Sequence, residues 1–364
     1  MSINAVNEYL MQIKALDAEA MAEARARLDS LAKPPGSLGK LEDIAATLAG
    51  ISGKMVYDTA KRCVIIMSSD NGVVEEGVAS APQAVTYVQT LNFIRGLTGV
   101  AVIAKQFNAD LIVVDVGINA DVDHPLIRDR KIRKATWNIA KQEAMTYDEA
   151  ARAVLIGIET AVEAVKDGYT LLGAGEMGIG NTSTSAAVLS ALTGILPEQV
   201  TGKGAGLKDD AYQHKIEVVR KAIAQNKPNP ADAIDVLAKV GGFDLAAMAG
   251  VYIGAAYMRV PVVIDGFISI VAALAASRLN PLVKDYMIAS HVSFEHGFMH
   301  AALALGIEPC LHLTMRLGEG SGCPIMFAVI DAATAVIRDM GTFEQANISD
   351  DYLNEVREGD HFTV

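Results

Sequence analysis

Thr170-Leu171-Leu172-Gly173-Ala174-Gly175-Glu176-Met177-Gly178-Ile179-Gly180-Asn181-Thr182 is the stretch that decides the fold. A short apolar run, Thr170–Leu172, enters a glycine cluster, and an Ala-rich segment with helical spacing follows. Strand, glycine turn and helix in that order open a parallel α/β unit. Gly173, Gly175 and Gly178 have the G-x-G-x-x-G spacing of a dinucleotide loop. Two features speak against a dinucleotide. Glu176 stands inside the motif, where its charge opposes a pyrophosphate, and the motif comes late in the chain. Three readings therefore stand side by side: a dinucleotide fingerprint, a structural glycine turn, and a loop that brings backbone N–H groups and a helix N-terminus to a single phosphate. The third is preferred.

Working outward, similar runs recur: Cys63–Met67, Leu111–Val114, Val260–Ile264, Tyr286–Ala289 and Cys310–Leu313. They alternate with Ala-rich helical stretches, as in a parallel α/β sheet. Pro261 sits at the start of its run, where a strand tolerates it. Each run ends in polar or glycine residues: Ser68-Ser69-Asp70-Asn71-Gly72, Asp115-Val116-Gly117, Asp265-Gly266, Ser290-His291 and, after the last, Met315 to Gly322. Any one Asp-Gly reads equally well as a plain turn. Six such endings favour a ligand-binding edge at the carboxyl ends of the strands. The flanks differ. Ala15–Leu31 is helical in pattern, Lys33-Pro34-Pro35-Gly36-Ser37 breaks it, and Ser37 is the expected cap of a helix over Leu38–Ala49. Ser349–Val364 is acidic and poor in apolar residues, the pattern of a partly mobile tail.

The composition sets bounds. The 364 residues are 51% apolar and only 5% aromatic, enough for a large core of small branched side chains. A net charge of −12 argues against nucleic acid. The apolar stretches Leu245–Met258 and Gly266–Ser277 fall short of the roughly 20 residues a membrane span needs. Buried helices are expected there. Met1–Leu10 lacks a basic region before an apolar run, so no signal peptide is expected. Cys63, Cys310 and Cys323 are too scattered for a disulfide framework and read as thiols in a reducing, cytoplasmic setting.

Two further loops carry chemistry. Gly202-Lys203-Gly204-Ala205-Gly206 lacks the Ser or Thr of a Walker A motif. It reads either as a solvated loop or, with Lys215 downstream, as the second side of a phosphate cradle. Arg316-Leu317-Gly318-Glu319-Gly320-Ser321-Gly322 sets one carboxylate among glycines that let a ligand ring approach the backbone. Apolar walls there would raise its pKa and make it a base, whereas in a plain turn it would face water. His296 and His300 have i,i+4 spacing, but without His-Glu-x-x-His no metal is expected, and no cofactor is called for. No G-x-S-x-G elbow appears. An NAD-dependent dehydrogenase would need a ribose-binding acid about 20 residues past the glycine loop, and Glu198 is the nearby candidate.

Together these residues resemble the nicotinate-nucleotide–dimethylbenzimidazole phosphoribosyltransferases. The matching blocks are Lys33–Gly39, Glu76-Gly77-Val78, Gly175–Thr182, Val240-Gly241-Gly242-Phe243-Asp244, Asp265-Gly266-Phe267 and Arg316–Gly322. The resemblance implies a Rossmann-like domain over residues 51–334, its sheet mostly parallel with helices on both faces. It implies a small helical domain from residues 1–50 with 335–364. It also implies transfer of the 5-phosphoribosyl group of nicotinate mononucleotide to an aromatic base, with inversion, in a homodimer or a heterodimer with a paralogue.

By the same resemblance Glu319 is the base and Glu176 stabilises the ribosyl cation or binds ribose hydroxyls. Gly178, Ile179, Gly180, Asn181, Thr182, Gly204 and Lys215 hold the 5′-phosphate. Asp265, Arg316, Leu317 and Gly320 contact ribose or shape the site, and Ala81, Gln89 and Met177 border the acceptor. The chain departs from the family pattern at Asn71, at Ala81 and at Ala135-Thr136-Trp137-Asn138, where Trp137 reads as a pocket wall or as core. Those departures leave the acceptor open between a benzimidazole and a phenol or p-cresol. A weakly active partner subunit is the remaining alternative.

Overall fold

A computed structural model describes residues 2–353. The core is a six-stranded sheet: β1 (Arg62–Ser69), β2 (Ala109–Gly117), β3 (Ile127–Asp129), β4 (Leu171–Met177), β5 (Val262–Ile264) and β6 (Met287–Ala289). The order across the sheet is β3-β2-β1-β4-β5-β6, and every neighbouring pair is parallel. From β1 the chain winds outward to β2 and β3, then returns to start again at β4 on the other side. Right-handed crossovers wound in opposite directions put helices on both faces, which makes the fold Rossmann-like. The strands are buried almost throughout, as a sheet covered on both faces requires.

Several expectations need correction. Cys310–Leu313 forms no strand; Leu311 makes a single parallel bridge to His291, and the run is interrupted by the exposed His312. The edge strand β3, being only Ile-Arg-Asp, leaves no mark in the sequence pattern. β4 runs through the glycine cluster to Met177, so Glu176 stands on the strand and not in the loop. Gly175 belongs in a strand because other backbone comes close: a Cβ there would lie 2.5 Å from the Glu319 carbonyl oxygen.

The stretches without charge become buried helices, Phe243–Tyr257 and Phe267–Leu279. Among the described residues no helix is long and apolar enough to cross a membrane. Phe243–Tyr257 packs on Tyr147–Lys166 along a seam of glycines. A Cβ on Gly157 would strike the Ala247 carbonyl, one on Gly250 that of Val154, and one on Gly254 that of Ile158.

The chain divides into two compact units, one of residues up to Lys14 with Lys61–Met326, the other of Ala15–Ala60 with the residues from Phe327 on. The helix Ser2–Leu10 thus belongs with the sheet and not with the helical unit, unlike the expected boundary at residue 50. Asn280 Nδ2 donates to the Leu10 carbonyl at 2.9 Å, the Tyr286 hydroxyl donates to the Lys14 carbonyl at 2.7 Å, and the Tyr9 ring meets Tyr257 edge-on. In the helical unit, Asp17 caps the helix Ala18–Asp29, and Leu31 bridges to Thr342. Ser37 does not cap the next helix, Lys40–Ser52, which starts at Gly39 without a side-chain cap. Glu42 does related work instead, accepting the Leu38 N–H at 2.9 Å and pairing with the buried Lys33 at 2.8 Å. Of the tail expected over Ser349–Val364, the described part ends in a short 3-10 turn, Asp351–Leu353, with the Ser349 hydroxyl donating to Asp351 at 2.7 Å, and the rest lies outside the described residues.

Candidate active site

One cavity of about 290 Å³ lies over the carboxyl ends of β4 and β5, beside the point where the strand order reverses. That is the position at which open α/β sheets bind ligands. The fold brings almost every expected site residue to it. Ala81, Gln89, Glu176, Met177, Gly178, Ile179, Gly180, Asn181, Thr182, Gly204, Lys215, Asp265, Arg316, Leu317 and Glu319 all line this cavity. Gly320 does not; it backs the wall, donating its N–H to Asp265 at 3.0 Å.

One end of the cavity is a cradle for an anion. After β4 the chain turns through Gly178–Gly180 into the helix Asn181–Thr193, with Gly180 in the left-handed region at φ +95°. The turn is pinned by the Ile179 N–H, which donates to Thr86 Oγ1 at 3.1 Å. Lys215, on the helix Asp209–Asn226, is fully buried and donates from Nζ to Thr182 Oγ1 at 2.8 Å and to the Gly202 carbonyl at 3.0 Å. Burial pushes its ammonium down to about 8, and the nearby Glu295 charge works the other way. The loop passes close over this lysine. A Cβ on Gly204 would sit 3.1 Å from Thr182 Oγ1 and 3.5 Å from Lys215 Nζ. A helix N-terminus, a hydroxyl and a buried cation together suit a phosphate.

The opposite side carries Glu319. Its loop holds Gly318, Glu319 and Gly320 at φ of +84°, +65° and +86°. A glutamate in that region costs on the order of 1–3 kcal/mol, so the surroundings must hold it. They do so through the backbone: Glu319 N–H donates to Glu176 Oε1 at 3.2 Å, and Gly320 and Gly322 N–H donate to the two oxygens of Asp265 at 3.0 and 2.6 Å. The Glu319 carboxylate accepts from Gln89 Nε2 at 2.7 Å and from the Val100 N–H at 3.2 Å. Val100 lies in the first turn of the helix Gly99–Gln106, whose positive end faces the carboxylate. Glu319 is 5% exposed, so the plain turn facing water is excluded.

The floor is acidic. Glu176 accepts a hydrogen bond from Asn181 Nδ2, and burial, reinforced by the charge of Asp244, pushes its carboxyl up to about 8. Burial likewise pushes Asp265 up to about 7 against the pull of its N–H donors. Arg316 and Leu317 stand at the rim, with the Arg316 guanidinium 5.9 Å from the Phe294 ring centre.

Other expected features fall elsewhere. Trp137 neither lines this cavity nor belongs to the core; it is 41% exposed, and the Arg133 guanidinium stacks on it at 4.1 Å. His296 precedes the helix Phe298–Leu305 that carries His300, so the two do not share a helix face. His291 does line the cavity, its Nδ1 3.0 Å from Ser290 Oγ. Among the described residues no group of His, Cys, Asp and Glu could hold a metal ion. Glu198 pairs with Arg220 at the surface and does not line the cavity. Sequence reasoning misses Asp244, Thr86, Glu295 and the Val100 N–H. Asp244 has a signal, since it closes the Val240–Asp244 block, but an acid in a helix's first turn reads as a dipole partner.

An anion cradle, a doubly wound sheet and paired carboxylates suit a phosphoribosyl-transferring class, and the phosphoribosyltransferase family DBI_PRT matches residues 13–348. The chain is 55% identical to the nicotinate-nucleotide–dimethylbenzimidazole phosphoribosyltransferase of Clostridium perfringens (strain 13 / Type A), with 99% of each chain covered. It is 48% identical to the enzyme of the same name from Clostridium tetani, covering 97% of this chain and 98% of the relative. A crystal structure of the enzyme of that name from Thermus thermophilus superposes with a TM-score of 0.87 at 39% identity, covering 92% of this chain and 99% of that one. This chain belongs to the nicotinate-nucleotide–dimethylbenzimidazole phosphoribosyltransferase family.

Proposed function

We propose that this protein moves the 5-phosphoribosyl group of nicotinate mononucleotide to dimethylbenzimidazole, releasing nicotinate and an α-riboside 5′-phosphate. The observation that carries the reading is the pairing of Glu319 and Glu176 in one cavity whose far end is the Lys215–Thr182 cradle. The 5′-phosphate sits against Lys215, Thr182, Gly204 and the Gly178–Asn181 turn. The C1–N bond to the pyridinium ring breaks, and its electron pair returns to the ring nitrogen, so nicotinate leaves with no acid required. One benzimidazole nitrogen attacks C1 from the opposite face, which inverts the anomeric carbon. The other loses its N–H proton to the Glu319 carboxylate, which the donors from Gln89 and Val100 hold in place. Positive charge that gathers on the ribose in the transition state meets the Glu176 carboxylate. Asp265 holds the Glu319 loop, since both of its oxygens accept backbone N–H groups, and its cavity face is left to contact ribose. Ala81, Gln89, Met177 and Leu317 border the acceptor.

The proposal includes a dimer in the cytoplasm. The exposed Phe294 and Leu317, 67% and 58% accessible, are apolar surface for a second copy to cover, and the buried thiols Cys63 and Cys323 suit a reducing compartment. The test is nicotinate release from nicotinate mononucleotide by the purified chain alone. Dimethylbenzimidazole, adenine, phenol and p-cresol are supplied separately, and products are read by mass. Release with dimethylbenzimidazole is expected, and turnover without a second chain removes any need for a paralogue. Release with phenols alone would replace the acceptor assigned above, and no release with any acceptor would overturn the reading.

A further inference from the structure

Asp244 opens the buried helix Phe243–Tyr257 and does not line the cavity, yet it lies directly beneath the catalytic floor. Asn71 Nδ2 donates to its Oδ2 at 3.2 Å, and the Leu245 N–H donates to its Oδ1 at 2.9 Å. Asn181, which donates to Glu176, also stands close enough to Asp244 to lower its pKa, so a single amide lies beside both carboxylates. Gly178 of the cradle turn rests on the same group. A Cβ there would strike Asp244 Oδ2 and the Ser69 carbonyl. The groups that face Glu176 are therefore Asp244 from below, Asp265 from the end of β5, the Asn181 amide and the Glu319 N–H. None of them is a cation. Buried carboxylates set together without a cation are costly, and a fold that merely needed a filler would do better with a neutral side chain.

We propose that Asp244 is a positioning residue of this reaction: through Asn181 and Gly178 it sets the floor of the cavity, and it keeps a second negative charge behind Glu176 where the ribosyl group becomes cationic. The inference rests on the proposed function and deepens it. Burial pushes Asp244 up to about 7 and Glu176 up to about 8, and the charge of Asp244 adds to the rise at Glu176. The charge of Asp244 holds the Glu176 proton on more tightly, and the charge of Asp70 does the same to Asp244. The cationic pyridinium donor and the ribosyl transition state favour the ionised pair, so the charge is strongest where it is used.

The experiment compares the parent enzyme with Asp244→Asn, which keeps the shape and removes the charge. Nicotinate release is measured across pH, with kcat and the donor KM separated. With Asp244 neutral, Glu176 loses a like charge and ionises at lower pH. The acidic limb of the kcat profile is expected to move down by about one pH unit, while the plateau falls by roughly tenfold and the donor KM changes little. A purely structural role would leave the limb in place. If the limbs of parent and variant superimpose, the inference is overturned whatever the plateau does. Should Asp244→Asn fail to fold, Asp244→Ser removes the same charge and is read in the same way. If the parent itself releases no nicotinate with any acceptor, the proposed function falls and this inference with it; an active parent with an unshifted variant overturns only the role of Asp244.

Discussion

Glu176 and Glu319 face the same cavity and are both buried, yet the chain supports them in opposite ways. Glu176 stands on β4, and besides the two N–H donors from Asn181 and Glu319 the charges nearest to it are those of other acids. Glu319 stands on a glycine loop in left-handed backbone, and its neighbours are N–H donors from Gln89 and from the start of the helix Gly99–Gln106. The contrast matches the two kinds of work proposed for them. A group that answers developing positive charge gains from like-charged company and a fixed place. A group that must take a proton from an incoming ring needs a defined direction, and its backbone needs room for that ring. The two are joined, since the Glu319 N–H donates to Glu176, so the proposed base is aimed partly by the carboxylate beside it.

The contrast breaks or sharpens at three points. The largest effect is expected from Glu319→Gln. It removes the proton acceptor and keeps the Gln89 and Val100 side of the pocket, so kcat should fall by about a hundred- to ten-thousand-fold. Binding of nicotinate mononucleotide by calorimetry should stay near the parent value. Near-normal turnover would remove Glu319 from its role. Next comes Glu176→Gln, with an expected loss of about a hundred- to thousand-fold in kcat. Here the loss should persist with acceptors of lower N–H pKa, whereas the defect of Glu319→Gln should shrink with them. Equal responses would mean that the two carboxylates are not doing different things. The smallest effect concerns the cradle. Lys215→Met should raise the donor KM about ten- to a hundredfold with a smaller change in kcat, the scale of a lost hydrogen bond to a charged group. In the parent, kcat/KM for the donor should fall as pH rises through about 8, because the deprotonated lysine no longer attracts phosphate. The variant should lack that basic limb.

How much of this was legible in the sequence depended on whether a residue's neighbours were near in the chain. The runs at Cys63, Leu111, Val260 and Tyr286 become strands because β-branched residues buried on both faces leave a local signature. The residues of the Gly178–Thr182, Gly204 and Gly318–Gly320 loops drew notice because glycine clusters and charges stand out in an apolar chain, whereas Ala81, Gln89 and Leu317, which also line the cavity, came from the family resemblance. The misreadings share another cause. The β4 glycines resemble a loop until Glu319 and Gly320 are seen packed against Gly175, contacts that cross well over a hundred positions of sequence. Asp244 looks like an ordinary helix-start acid until Asn71, Gly178 and Asn181 are assembled around it. Cys310–Leu313 has a strand's composition, but β6 ends before it, and in this run Leu311 forms one isolated bridge, to His291.

The glycine seam between Phe243–Tyr257 and Tyr147–Lys166 has a consequence for how this protein can change. Backbone resting on backbone has no side chain to absorb an error, so the helix is gauged against its neighbour at Gly250 and Gly254. Asp244 rides on the same rod, about 9 to 15 Å along the helix axis from those stops. A single methyl group added at the seam would slide or tilt the rod and lift its far end away from Asn181. The depth of the reaction chamber is thus set by tolerances that no inventory of its walls contains. Variation that retunes or spoils this enzyme has an address in the seam as well as in the pocket.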